Sequence, residues 1–135
     1  MKIEVVPAHL TAQVFPLVEG FLAPALEYSN GEYTLDQVRL FVNQNSWALI
    51  VATDETGRLV GAMTISFMNM PNTRVAYVTC TGGKMICNED TLAQLKRIVR
   101  AMGATKIQAA GRDSVVRLLS QLGFKKIYTV IETIL

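Results

Sequence analysis

The stretch from Trp47 to Cys80 constrains this chain most. "WALIVAT" (Trp47–Thr53) and "RLVGAMTISFM" (Arg58–Met68) are β-type runs joined by "DETG" (Asp54–Gly57), a tight hairpin connection. "NMPNT" (Asn69–Thr73) turns the chain again, into "RVAYVTC" (Arg74–Cys80). Links this short join antiparallel neighbours, so the middle of the chain predicts a meander of about three strands.

The flanks fill in around that sheet. "KIEVV" (Lys2–Val6) is a short β-run stopped by Pro7. Leu10 to Tyr28 has helical periodicity, but Pro16 and Pro24 each remove a backbone donor and predict a broken or kinked helix. Thr34 and Gln37 have the spacing of a capping box, ahead of a stripe of Leu35, Val38, Phe41 and Val42. Asn88 is a good N-cap for a helix lined by Leu92, Leu95, Ile98, Val99 and Met102 and ended by Gly103. "TKIQAAG" (Thr105–Gly111) predicts a strand and "RDSVVRLLSQLGF" (Arg112–Phe124) a short helix. "KKIYTVIETIL" alternates with apolar residues on both faces, which predicts a last strand covered on both sides. The expected fold is α/β or α+β: one domain, 1–135, with a mixed sheet of about six strands and about four helices.

A chain of 135 residues, half of them hydrophobic, can bury a core without disulfides or metals. No apolar run reaches the ~18 residues a membrane span needs. The N-terminus lacks a signal peptide's long apolar stretch, so a cytoplasmic location is expected. Cys80 and Cys87 have no second pair, which disfavours a disulfide framework and a metal site. Charge is uneven. Residues 1–72 carry three Lys/Arg against seven acids, and residues 73–135 carry ten against four. Lys96, Arg97, Arg100, Lys106, Arg112, Arg117, Lys125 and Lys126 could face an anionic cofactor or an acidic protein, or simply water. No aromatics interleave with them and no recognition motif is present, so nucleic acid is disfavoured. Trp47, Phe67, Met68 and Met70 are either core or a patch for a protein partner or self-association.

The stretch "TCTGGKMICNED" (Thr79–Asp90) poses a chemical question. A glycine pair before a helix N-terminus suits an anion, because free N–H groups and the helix dipole attract one. Yet Glu89 and Asp90 occupy the first turn, where carboxylates satisfy the dipole themselves. Gly82 and Gly83 read as a tight turn. Tyr77 and Tyr128 are weak candidates for proton transfer, with sheet packing as the alternative. Glu19, Glu27 and Glu32 are candidates for a base. His9 is the single histidine and reads as a surface or capping residue, and Cys80 as a packing thiol.

The order of elements resembles the Gcn5-related N-acetyltransferase (GNAT) superfamily over nearly the whole chain. "LGF" at the end of the short helix, followed by a β-run, looks like the family's C-terminal motif. The resemblance implies acetyl-CoA, with cofactor-binding residues Thr79, Thr81, Gly82, Gly83, Lys84 and Asn88. It also implies a Q/R-x-x-G-x-G/A loop, which this chain lacks, and a tyrosine acid in the last helix at the place of Leu119. Arg112 replaces the asparagine that often starts that helix. More narrowly, Thr81-Gly82-Gly83 and Gly111-Arg112 resemble motifs of small GNAT-like proteins of tailed phages. That likeness implies a virion-associated or accessory binding protein with a degenerate acetyl-CoA site, in the host cytoplasm or the virion. The alternative implied is acetyl transfer to an amine.

Overall fold

The computed structural model describes residues 1–86 and 88–135; Cys87, one of the two thiols considered above, lies outside them. The elements are β1 (Lys2–Val5), a 3-10 turn (Ala8–Leu10), α1 (Thr11–Leu26), α2 (Leu35–Asn43), β2 (Trp47–Thr53), β3 (Leu59–Asn69), β4 (Arg74–Gly83), α3 (Glu89–Ala101), β5 (Lys106–Ala109) and α4 (Asp113–Ser120). The strands form one five-stranded sheet in the order β1-β2-β3-β4-β5. Every neighbouring pair is antiparallel except β4 and β5, which are parallel. The fold is therefore mixed α+β, with four α-helices among the described residues.

The two faces of the sheet carry separate cores. On one, α1 and α2 bury Phe15, Val18, Leu22, Val38 and Val42 against Leu49, Val51, Ala62 and Cys80. On the other, α3 buries Leu95 and Val99 against Ile50, Met63, Ile65 and Ala76. Both expected N-caps form: Thr34 with the Gln37 partner its spacing predicts, and Asn88 with Thr91, a partner not anticipated from the sequence. The Gln37 backbone N–H donates to Thr34 Oγ1 at 3.2 Å, and the Thr34 N–H donates to Gln37 Oε1 at 2.9 Å. At α3 the Thr91 N–H donates to Asn88 Oδ1 at 3.0 Å, and the Asn88 N–H donates to Thr91 Oγ1 at 3.3 Å.

Three expectations change. First, α1 is continuous, with Pro16 and Pro24 inside it. Each proline removes the donor that would reach four residues back, to Ala12 and Gly20. Both of those residues are exposed, so water can satisfy their carbonyls. Second, Gly82 and Gly83 are not a turn. They extend β4 and pair with Ala62 and Gly61 of β3. Third, the segment after Gly123 joins no strand, so the sheet has five strands where about six were expected. The alternation in "KKIYTVIETIL" is real, but the residues expected to be covered are open: Val130 is 81% exposed and Ile131 89%.

The glycine pair now has a physical cause. A Cβ on Gly82 would lie 1.7 Å from the backbone oxygen of Phe21 in α1. A Cβ on Gly83, whose φ is +69°, would lie 2.4 Å from the Val60 oxygen and 2.8 Å from Phe21 Cδ1. These glycines let α1 lie directly on the end of β4.

Candidate functional site

The β4–β5 ladder is short. β4 and β5 pair from Val75↔Lys106 to Val78↔Ala109 and part beyond it. At the same level the β3–β4 register slips: Thr64 faces Cys80 and Ile65 faces Val78, leaving Thr79 without a partner in β3. The slip is a β-bulge, which bends its strand and leaves backbone groups outside the ladder. Thr79 fixes it with its side chain. Its hydroxyl donates to the Thr64 carbonyl at 3.0 Å and lies 2.8 Å from the Thr64 hydroxyl. Thr64 is fully buried, so the pair is locked. Beyond Val78, β4 has no β5 partner, so the carboxyl ends of the two parallel strands leave a gap in the ladder, a notch with unpaired β4 backbone on one side. Crevices of this kind are where open α/β sheets bind ligands.

The α1–α2 loop and the C-terminal arm flank the notch. The Arg112 guanidinium stacks over the Tyr28 ring, 3.8 Å from its centroid. Asn30 joins two carboxylates: its backbone N–H donates to Glu32 at 3.2 Å, and its side-chain amide donates to both oxygens of Glu132 at 3.0 Å. Tyr77 sits among them. Burial, reinforced by the charge of Glu32 and by Tyr33 and Tyr128, raises its phenol pKa above the ordinary 10.0. It therefore keeps its proton throughout the neutral range.

Of the residues singled out from sequence, Tyr77 and Tyr128 come near one another, with Glu32 beside them. Glu27 is exposed at the end of α1 and is brought to none of these groups. Glu19 is held by Arg39 at 2.9 Å in an ion pair between α1 and α2. His9 is exposed in the 3-10 turn. Cys80 is buried, donates to the Leu22 carbonyl at 3.4 Å, and has its pKa pushed up to about 11, so it stays a neutral thiol. Trp47 is core, 4.8 Å from Tyr33 and 4.7 Å from Phe41 by ring centroids. Leu119 is half-buried on α4.

The cofactor candidates divide. Thr79 lies at the notch. Thr81 is exposed one turn of the pleat further on, and Lys84 is exposed beyond the glycines. Gly82 and Gly83 have their open sides filled by α1 and β3. Asn88 and Thr91 cap α3, and Glu89 and Asp90 surround that cap. Gln94 ties the same end of α3 to Asp90 at 3.0 Å and to the Ile3 N–H of β1 at 2.8 Å, at the far edge of the sheet from the notch. Sequence reasoning missed the Thr79 bulge and the Asn30 bridge, because both rest on partners distant along the chain. Among the described residues no group of three or more His, Cys, Asp and Glu could hold a metal ion, and no helix is long and apolar enough to cross a membrane.

No protein-family model and no curated protein matches the sequence. Solved structures do match. An aminoglycoside acetyltransferase from an uncultured soil metagenomic sample, in complex with sisomicin, is 14% identical, with 99% of this chain and 94% of that one covered and a TM-score of 0.69. A second soil metagenomic aminoglycoside acetyltransferase is 14% identical, with 100% and 99% covered and a TM-score of 0.66. Glucosamine-6-phosphate N-acetyltransferase from Arabidopsis thaliana is 11% identical, with 98% and 97% covered and a TM-score of 0.60. At these identities the likeness concerns the fold, which extends over almost the whole chain: the protein has a GNAT-like acetyltransferase fold.

Proposed function

We propose that the protein transfers an acetyl group from acetyl-CoA to a cationic amine at the notch between β4 and β5. The observation that carries this reading is the Thr79 bulge at the level where the parallel strands part. Bound acetyl-CoA supplies an acetyl thioester. Its acyl arm fits a crevice with unpaired strand backbone, and an N–H left outside the ladder there can donate to a carbonyl as charge develops on it. Glu32 and Glu132, ordered by Asn30, give the flank a negative charge that attracts an ammonium group, and Glu32 is placed to take its proton. Tyr77 holds a proton beside them for a departing thiolate.

The pyrophosphate is another matter. The N-terminus of α3 is capped from within the chain by Asn88 and Thr91 and carries two acids, so it does not fit a phosphate. Lys84 is the cation nearest in sequence to the glycine pair, and the acyl arm supplies the binding that the helix end does not.

A second reading, a virion-associated or accessory binding protein without transfer, is supported by two features. Leu119 stands where the resemblance implies a tyrosine acid, and α3 has its self-satisfied N-terminus. Release of free thiol from acetyl-CoA separates the two readings. Incubated with a panel of polyamines, aminoglycosides and lysine peptides, the protein is expected to release thiol in proportion to one of the amines. Release no faster than the blank with every amine would contradict transfer.

A further inference from the structure

Among the described residues, the C-terminal arm is the longest apolar segment that its own fold leaves uncovered. No residue of α4 is buried. Leu118 on α4 is 49% exposed, and on the arm Ile127 is 54%, Tyr128 67%, Ile131 89% and Ile134 84% exposed. Among the described residues, none makes a backbone hydrogen bond with residues 125–135. Yet the arm is anchored, through both carboxylate oxygens of Glu132 on the Asn30 amide. An anchored segment with a strand's alternation, unpaired backbone and bare β-branched side chains is a strand edge awaiting a partner.

The sequence of the arm says which partner. Lys125 and Lys126 stand at its start and Glu132 near its end. Two copies laid antiparallel, with Thr129 opposite Thr129, put Lys126 opposite Glu132, Ile127 opposite Ile131 and Tyr128 opposite Val130. Each is a favourable cross-strand pair. Side by side in parallel, the same arms would set Lys126 against Lys126. We propose that the partner is a second copy of this chain, and that the two arms pair antiparallel about a twofold axis at Thr129. Such an interface is isologous and closes on itself. It covers the apolar row and holds Tyr128 and Glu132 in place beside the notch of each copy. This association is independent of whether the notch binds acetyl-CoA.

Mass measurement by light scattering and oxidative cross-linking test the proposal. The full chain is expected to run as a dimer at micromolar concentration. Ile131→Lys, a fully exposed position in the single chain, is expected to weaken the dimer at least 10-fold while leaving the circular dichroism spectrum unchanged. In a Cys87→Ser background, Thr129→Cys is expected to form a disulfide-linked dimer, because that position faces itself, and Thr133→Cys is not. A monomer at every concentration would overturn the proposal, whether the arm then folds on its own sheet or binds another protein. A dimer indifferent to Ile131→Lys, with no cross-link at Thr129→Cys, would overturn it equally.

Discussion

Gly82→Ala is expected to unfold much of the protein's margin of stability. The added methyl would sit 1.7 Å from the Phe21 carbonyl oxygen, a backbone atom that cannot rotate away. Relief requires moving α1 off β4, and α1 supplies Phe15, Val18 and Leu22 to its core. Overpacking of this kind costs about 3 kcal/mol or more. Against a total of roughly 5–15 kcal/mol, that is a large share. The thermal midpoint is expected to fall by on the order of 10 °C. Gly20→Ala, in the same helix, has the opposite sign. A Cβ there meets nothing within 4 Å, and replacing an exposed helical glycine by alanine stabilises by about 0.5–1 kcal/mol. Thermal denaturation of the pair checks both signs. Equal midpoints for Gly82→Ala and the parent would mean that α1 does not lie on β4 as described.

The second large effect is on activity. Tyr77→Phe keeps the ring and removes the proton. Loss of a general acid lowers kcat by about 100-fold or more. KM for acetyl-CoA is expected to change little, because in the proposed transfer the hydroxyl acts on the departing thiolate rather than on the bound donor. The raised pKa fixes the direction of the pH dependence. A phenol held above its ordinary value of 10.0 stays protonated through neutral pH, so the loss of rate that it controls falls above pH 10. Stability follows the same sign. Above pH 10 the unfolded chain gives up this proton before the folded one does, and stability declines with rising pH there. Unchanged kcat in Tyr77→Phe would remove Tyr77 from the mechanism and return it to sheet packing.

How far the sequence reveals this molecule depends on the range of the interactions. The meander, the capping boxes at Thr34 and Asn88 and the apolar stripes of α2 and α3 arise within a few residues, and the observed elements begin and end close to where the pattern puts them. The Gly82–Gly83 pair reads as a turn because its real cause, the backbone of Phe21, is far away along the chain. The prolines of α1 read as breaks because the exposure of Ala12 and Gly20 is a property of the folded molecule. The segment after Gly123 reads as a strand covered on both sides, yet it joins no strand and lies open, because alternation alone does not supply a partner. At the site, Asn88 was legible as the N-cap of α3 and is one, but its capping partner is Thr91, and the acids only fall in the first turn. The bulge was not legible, since a threonine at position 79 is an ordinary strand residue until Thr64 lies across from it.

The proposed transfer requires that the notch take an acyl-CoA although the N-terminus of α3 is closed to phosphate. Calorimetric titration of the full chain with acetyl-CoA, beside the double variant Glu89→Gln, Asp90→Asn, measures this directly. The parent is expected to saturate with one ligand per chain. Because that helix end lies at the far edge of the sheet from the notch and its charge effect falls off within one turn, the variant is expected to bind within about 2-fold of the parent. No saturable heat from the parent at millimolar acetyl-CoA would contradict the notch as an acyl-CoA site, and binding about 10-fold tighter by the variant would put the pyrophosphate at α3 instead.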